Sequence, residues 1–165
     1  MDVLFSPERY AYVTSAKGEG AGCVLCRIRD AGEDAQNLVL LRTPFNYVLI
    51  NRYPYNNGHL MIVSNRHEGD LHRLTPGQRA DLIELAGSAE RILTQTYRAQ
   101  GINLGMNLGE AAGAGVLGHL HLHLVPRWKG DTNYMTVVGA TRIVPEEPAT
   151  TFERLRPLFA AGEGT

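Results

Sequence analysis

Ten residues, His119-Leu120-His121-Leu122-His123-Leu124-Val125-Pro126-Arg127-Trp128, constrain this chain more than any other stretch. Three histidines alternate with leucines at a spacing of two. That period belongs to a β-strand, so the imidazoles leave one face and the leucines the other. The leucine face suits a core. The histidine face then carries a row of imidazoles with Cα atoms roughly 6–7 Å apart. Pro126 lacks an amide N–H and is expected to end the strand pairing. Just upstream, residues 105–115 form a glycine-studded loop whose backbone amides can approach an anion.

Three readings of the histidine row follow from its chemistry. It is a set of metal ligands, a polar strand face without chemistry, or a catalytic row. One ion held by all three is the weakest reading, because imidazoles on one flat strand converge poorly.

The rest of the chain sets the scale. At 165 residues it has length for one domain with a sizeable core. A net charge of −1 gives no bulk field for DNA, RNA or a membrane surface, so no nucleic-acid polymer or membrane partner is expected. No apolar run approaches the roughly 20 residues that span a bilayer. Residues 1–7 lack a basic region followed by an apolar one, so the expected location is the cytoplasm. Two cysteines, Cys23 and Cys26, make one CxxC and no disulfide framework. They are idle thiols, or half of a zinc site that needs two further ligands. A redox pair would need a thioredoxin-like context, which is absent.

In chain order, residues 1–14 read as a short helix or arm and 15–22 as a flexible loop. Strands are expected over 38–42 and 45–51, joined by a Thr43-Pro44 turn, and over 59–64 after an Asn57-Gly58 turn. Thr75, Pro76 and Gln78 announce a helix through a capping box with proline at its first position. Leu82, Ala86, Ala89, Leu93 and Tyr97 give it one buried stripe, with Gly101 as the expected stop after about 25 residues. Residues 102–107 make the fourth strand and the histidine row the fifth. An extended piece over 139–142, a helix from Thr150 or Thr151 to Phe159, and a frayed tail over 160–165 complete the expectation. His59 and His72 read as surface or turn histidines.

The run His119 to Val125 matches the pattern His-φ-His-φ-His-φ-φ, with φ apolar, at every position. It resembles the histidine triad family of nucleotide hydrolases and transferases. The resemblance implies an α+β fold with a five-stranded antiparallel sheet and a long packed helix. It implies a homodimer and a single domain over 1–165, with an N-terminal arm and zinc knuckle (1–36), a core (37–128) and a C-terminal extension (129–165). It implies that His121 attacks the α-phosphate and carries a covalent nucleotidyl group, with His123 donating to phosphate or leaving-group oxygens. Asn51 is implied to bind the ribose hydroxyls; from the residue alone, capping of its own turn is the alternative. Asn107 and the turn of Gly113, Ala114 and Gly115 are implied to bind the α-phosphate. Part of the family, and the related hexose-1-phosphate uridylyltransferases, hold a structural zinc through CxxC, a downstream histidine and the first histidine of the row. The corresponding residues here are Cys23, Cys26, His67 and His119. No organic cofactor is expected. Arg127 is a candidate for distal phosphates or a plain surface cation.

Asn51-Arg52-Tyr53-Pro54-Tyr55, Gly58-His59-Leu60 and Val125-Pro126-Arg127-Trp128 make the resemblance nearest to bacterial proteins of diadenosine tetraphosphate hydrolase and phosphorylase type. Phosphorylase members carry Ser in the loop and Glu before the first histidine, where this chain has Gly115 and Gly118. The expected reaction is therefore hydrolysis of a dinucleoside polyphosphate, with a phosphorylase or nucleotidyltransferase as the second reading. A non-catalytic nucleotide-binding or sensing module is a third, against which the intact row argues.

Overall fold

A computed structural model describes residues 22–131 and 146–161. The expectations for residues 1–14, for most of the 15–22 loop, for 139–142 and for 162–165 lie outside them. Among the described residues no helix is long and apolar enough to cross a membrane.

The chain runs α1 (Val24–Ala31), α2 (Asp34–Asn37), β1 (Val39–Arg42), β2 (Asn46–Ile50), β3 (Leu60–Ser64), α3 (Pro76–Tyr97), β4 (Gly101–Gly105), β5 (His121–Arg127) and α4 (Pro148–Ala161). The five strands form one antiparallel sheet in the order β1-β2-β3-β5-β4.

The alternation in β5 divides the molecule. Leu120, Leu122 and Leu124 enter the main core with Val48, Ile50, Leu60 and Ile62. Against them pack Leu82, Ala86, Ala89 and Leu93 of α3 and Phe152, Leu155 and Phe159 of α4. Each fully buried leucine contributes roughly 1.5–3 kcal/mol of transfer free energy. The opposite face carries a smaller cluster, Leu25, Val39, Tyr47, Leu49 and Val63, covered by α1. The histidines stand on that thinly covered face.

Helix α3 begins as its sequence requires. Thr75 Oγ1 accepts from the Gln78 amide at 3.2 Å, and Gln78 Oε1 accepts from the Thr75 amide at 2.8 Å. It ends at Tyr97 rather than at Gly101. Arg98 takes the left-handed turn (φ 50°), and the Gln100 amide already bonds to the Arg127 carbonyl at 2.9 Å. Gly101 is thereby drawn into the sheet as the first residue of β4.

Pro126 does not end the strand either. It pairs with Ile102, and β5 continues to Arg127. The reason is directional. A residue in an antiparallel strand sends its N–H and C=O to the same side. The Pro126 carbonyl accepts from the Asn56 side chain at 3.1 Å, on the side where β3 pairs only as far as Leu124. The missing N–H therefore breaks no ladder bond. At the C-terminus, Ala160 and Ala161 belong to α4 rather than to a frayed tail, and that helix starts earlier, at Pro148.

The β2–β3 turn is set by Gly58, at φ 70°. A Cβ there would lie 3.0 Å from Leu93, 3.2 Å from Tyr97 and 3.3 Å from Pro126. Only glycine lets this turn settle on α3 and β5.

Candidate nucleotide and metal site

Two groups of side chains occupy the histidine face, and they meet at His119. The first consists of Cys23, just before α1, Cys26 in its first turn, His67 after β3, and His119 before β5. Their ligand atoms all lie within 4.8 Å of one another. Cys23 Sγ stands 3.2 Å and Cys26 Sγ 3.4 Å from His119 Nδ1, and Cys26 Sγ is 3.3 Å from His67 Nδ1. A tetrahedral ion with ordinary zinc–sulfur and zinc–nitrogen bonds sets such atoms about 3.5 Å apart. His119 Nε2 donates to the Ser64 carbonyl at 2.7 Å. Its Nδ1 is then the lone-pair nitrogen, facing the thiols. Burial holds this imidazole below its usual range, so it is neutral, as a ligand must be. Burial, and then the neighbouring Cys23, push the Cys26 thiol up. These four residues can hold a metal ion.

The second group lines a cavity of about 380 Å³. His121 and His123 are on its wall with Asn51, Asn107, Gly113 and Gly115, and Val24, Ile28, Leu49 and Met61 supply apolar surface. His121 Nδ1 donates to the His119 carbonyl at 2.9 Å. That bond fixes the tautomer and leaves the lone pair on Nε2. The His121 and His123 rings meet edge to face at 5.0 Å between centroids. His123 Nδ1 is 2.9 Å from Nε2 of a fourth histidine, His59, which is fully buried.

Comparison with known proteins gives the family. The model for the HIT domain matches residues 33–130. The chain belongs to the HIT domain family.

Among HIT relatives, it is 41% identical over 113 residues to a protein named AP-4-A phosphorylase from Mycobacterium tuberculosis, covering 68% of this chain and 58% of that one. It is 30% identical to a Schizosaccharomyces pombe bis(5'-nucleosyl)-tetraphosphatase [asymmetrical], covering 56% of this chain and 50% of that one. The chain thus spans about half the length of these curated relatives. A crystal structure of a Zn-bound histidine triad family protein from Mycobacterium smegmatis superposes with a TM-score of 0.69 at 25% identity, over 86% of this chain and 96% of that one.

The HIT fold brings most of the singled-out residues to one place, with different fates for their polar atoms. Asn51 lines the cavity, yet its Oδ1 already accepts from the Tyr53 amide at 2.9 Å. Asn107 also lines it, with Nδ2 donating to the Gly113 carbonyl at 3.3 Å. Ala114 faces a neighbouring hollow of about 220 Å³ that also touches Asn107 and His119. The amides of Gly113 and Ala114 bond to the carbonyls of Glu110 and Gly109, at 2.9 and 3.4 Å. Of the three turn amides invoked for phosphate, two therefore serve the turn itself. Arg127 lies outside the cavity. It pairs with Asp131 at 2.5 Å and donates to Asn103 at 2.8 Å.

His59 is the residue that sequence reasoning missed. It is not a surface histidine. A signal existed: Met61 stands opposite His123, so the same alternation that puts the triad on one face puts residue 59 there too. His72, by contrast, is exposed.

Proposed function

We propose that this HIT-family chain is an enzyme that cleaves a dinucleoside polyphosphate through a covalent nucleotidyl-histidine intermediate. The observation that carries the reading is the bond from His121 Nδ1 to the His119 carbonyl. In the neutral imidazole it places the lone pair on Nε2, beside a nucleotide-sized cavity. His121 Nε2 attacks the α-phosphorus, the P–O bond to the departing polyphosphate breaks, and a phosphorus–nitrogen bond forms. His123 donates a hydrogen bond to phosphate or to the leaving oxygen. Water then attacks phosphorus and loses a proton to solvent, the phosphorus–nitrogen bond breaks with its electron pair returning to Nε2, and the nucleoside monophosphate leaves His121 in its starting state. Asn51 binds ribose hydroxyls, and Asn107 with the turn of Gly113, Ala114 and Gly115 contacts the α-phosphate. The committed amides of that turn leave Gly115 and the Asn107 side chain as its main donors.

The metal is zinc, held by Cys23, Cys26, His67 and His119, and its task is to tie α1 to the start of β5. It supplies no step of the reaction. The active form is a homodimer, joined through β4, the last strand of the order among the described residues.

Identity to a protein named AP-4-A phosphorylase favours a second reading, in which phosphate replaces water as the acceptor. Gly115 and Gly118, where phosphorylase members carry Ser and Glu, favour hydrolysis. Diadenosine tetraphosphate incubated with and without phosphate separates the two. Hydrolysis gives AMP and ATP in both reactions. Phosphorolysis gives ADP and ATP, and only when phosphate is present. Turnover of neither diadenosine tetraphosphate nor triphosphate would refute the enzymatic reading.

A further inference from the structure

We propose that Cys23 and Cys26 are a site of reversible oxidation, closing to a disulfide under a peroxide and giving up the metal they hold. The inference rests on the reading of these residues, with His67 and His119, as zinc ligands.

The placement of the two sulfurs carries it. Cys23 is the N-cap of α1, and Cys26 sits three residues on, in the first turn. Residues three apart on a helix are neighbours on one face. Both sulfurs converge on one nitrogen, His119 Nδ1, at 3.2 and 3.4 Å. No two ligand atoms of the cluster are more than 4.8 Å apart. A disulfide needs its sulfurs at about 2 Å, a closure within reach of side-chain rotation on one turn. The site is also open. Both thiols are only half-buried, and His67 beside them is exposed. A small oxidant reaches them from solvent without unfolding the chain.

Metal binding requires the thiolate, which is also the nucleophilic form. One thiolate attacks an oxygen of hydrogen peroxide, the O–O bond breaks and hydroxide leaves, giving a sulfenic acid. The second thiolate attacks that sulfur, the S–O bond breaks, a second hydroxide leaves and the disulfide forms. Two electrons pass from the sulfurs to the peroxide. A disulfide offers no thiolate, and His67 and His119 alone do not close a tetrahedral site, so the metal departs. A dithiol reverses the step by exchange. The pair is thus a target of oxidation and not the thiol centre of an oxidoreductase.

The consequence for the cavity follows from how α1 is held. Arg42 donates to the carbonyls of Ile28 and Arg29 at 3.2 and 2.9 Å and pairs with Asp34 at 2.7 Å, which anchors the C-terminal half. Tyr47 Oη donates to the Leu25 carbonyl at 2.7 Å. The first turn reaches across to His119 through the two sulfurs. Val24 and Ile28 of this helix line the cavity, and the His119 carbonyl orients His121. Oxidation therefore loosens one wall of the cavity and the residue behind the nucleophile, while Arg42 and Tyr47 keep the helix attached. Turnover should fall in part, about 10-fold, rather than vanish.

The two are the only cysteines in the chain, so every thiol measurement reports on this pair. Wild-type protein, purified without added metal, is titrated with hydrogen peroxide. Free thiols, zinc captured by a chromophoric chelator, and turnover of diadenosine tetraphosphate are followed together, and mass mapping identifies the product. Thiols should disappear as zinc appears, about one zinc per disulfide, with Cys23 linked to Cys26 of the same chain. Dithiothreitol with added zinc should restore thiols, metal and turnover. That recovery separates the pair from Met61 of the cavity wall, whose sulfoxide needs a dedicated reductase. Thiols that persist while turnover falls overturn the proposal. So do sulfinic acid without a disulfide, a disulfide between two chains, and a Cys23–Cys26 disulfide that leaves zinc bound. Under about 0.1 zinc per chain before treatment refutes the zinc reading by itself; the oxidation site is then judged by the disulfide and its reversal.

Discussion

The carbonyl oxygen of His119 accepts the Nδ1–H of His121 at 2.9 Å. The imidazole of the same His119 is a member of the Cys23, Cys26 and His67 cluster. One residue therefore joins the candidate metal site to the candidate nucleophile, through side chain on one side and backbone on the other. If a metal fixes the ring, it also fixes the plane of the peptide that orients His121.

Metal loss is thus expected to act beyond stability. Cys26→Ser should drop metal content from about one zinc per chain to near zero, lower Tm by several degrees, and reduce turnover although Cys26 does not line the cavity. Elemental analysis beside thermal melts and kinetics makes the comparison. Wild-type protein, purified without added metal, holding under about 0.1 zinc per chain would remove the premise.

His121→Ala and His123→Ala should separate by magnitude. Losing the nucleophile removes the covalent route, a loss of several orders of magnitude. Losing a donor costs on the order of 10²–10⁴-fold. Rapid quench with labelled nucleotide should trap an acid-labile adduct on His121. Turnover by the wild type without that adduct, or near-normal turnover by His121→Ala, contradicts the mechanism.

The strand pattern of residues 119–125 was enough to read both faces of β5, because a period of two leaves little freedom once leucines fill one face. The cluster of Cys23, Cys26, His67 and His119 was legible through the family resemblance, since the CxxC alone left its two further partners open. The polar accounting was not. Turn capping by Asn51 was one of its two readings, whereas that Asp131 engages Arg127, and that Gly113 and Ala114 use their amides internally, depend on backbone directions that no residue pattern carries. His59 lay between these cases: its face follows from strand alternation, but its burial follows from the turn at Gly58 folding onto α3. Pro126 and Gly101 misled for one reason. Each residue type has a usual role in ending elements, and neighbouring strands overrode it.

The sheet edges differ. β1 is flanked by α4, whereas β4 is the last strand of the order and leaves Leu104 53% exposed. Among the described residues no strand pairs with its outer side, and such an edge with an apolar side chain favours pairing with a second copy. Light scattering at micromolar concentration should give a dimer mass, and Leu104→Glu should shift it toward the monomer. A monomeric wild type would contradict the assembly proposed above.

The last expectation concerns acid stability and rests on Glu146. Its carboxylate accepts from Tyr97 Oη at 2.6 Å, Thr151 Oγ1 at 2.9 Å, and Arg154 Nε and Nη2 at 3.0 and 2.7 Å. These bonds pin α4 to the end of α3. Burial pushes this carboxyl up, but the donors from Tyr97, Thr151 and Arg154 outweigh it and hold it below the ordinary 4.5. Burial, and then the bond to Glu146, push the Tyr97 hydroxyl up to about 12, so at neutral pH it remains a donor. Because the folded carboxyl is the stronger acid, its contribution is complete above the unfolded value and fades as pH falls through the lower folded value. Glu146→Gln keeps the shape and removes the charge. It should lower stability near pH 7 by about 1.5–3 kcal/mol, the range for hydrogen bonds to a charged group. It should also flatten the loss of stability that the wild type shows below about pH 4.5. Urea denaturation of both proteins between about pH 7 and pH 3 measures the two slopes. Parallel slopes would mean that Glu146 titrates alike in the folded and unfolded chains, and that the four bonds do not stabilise its charged form.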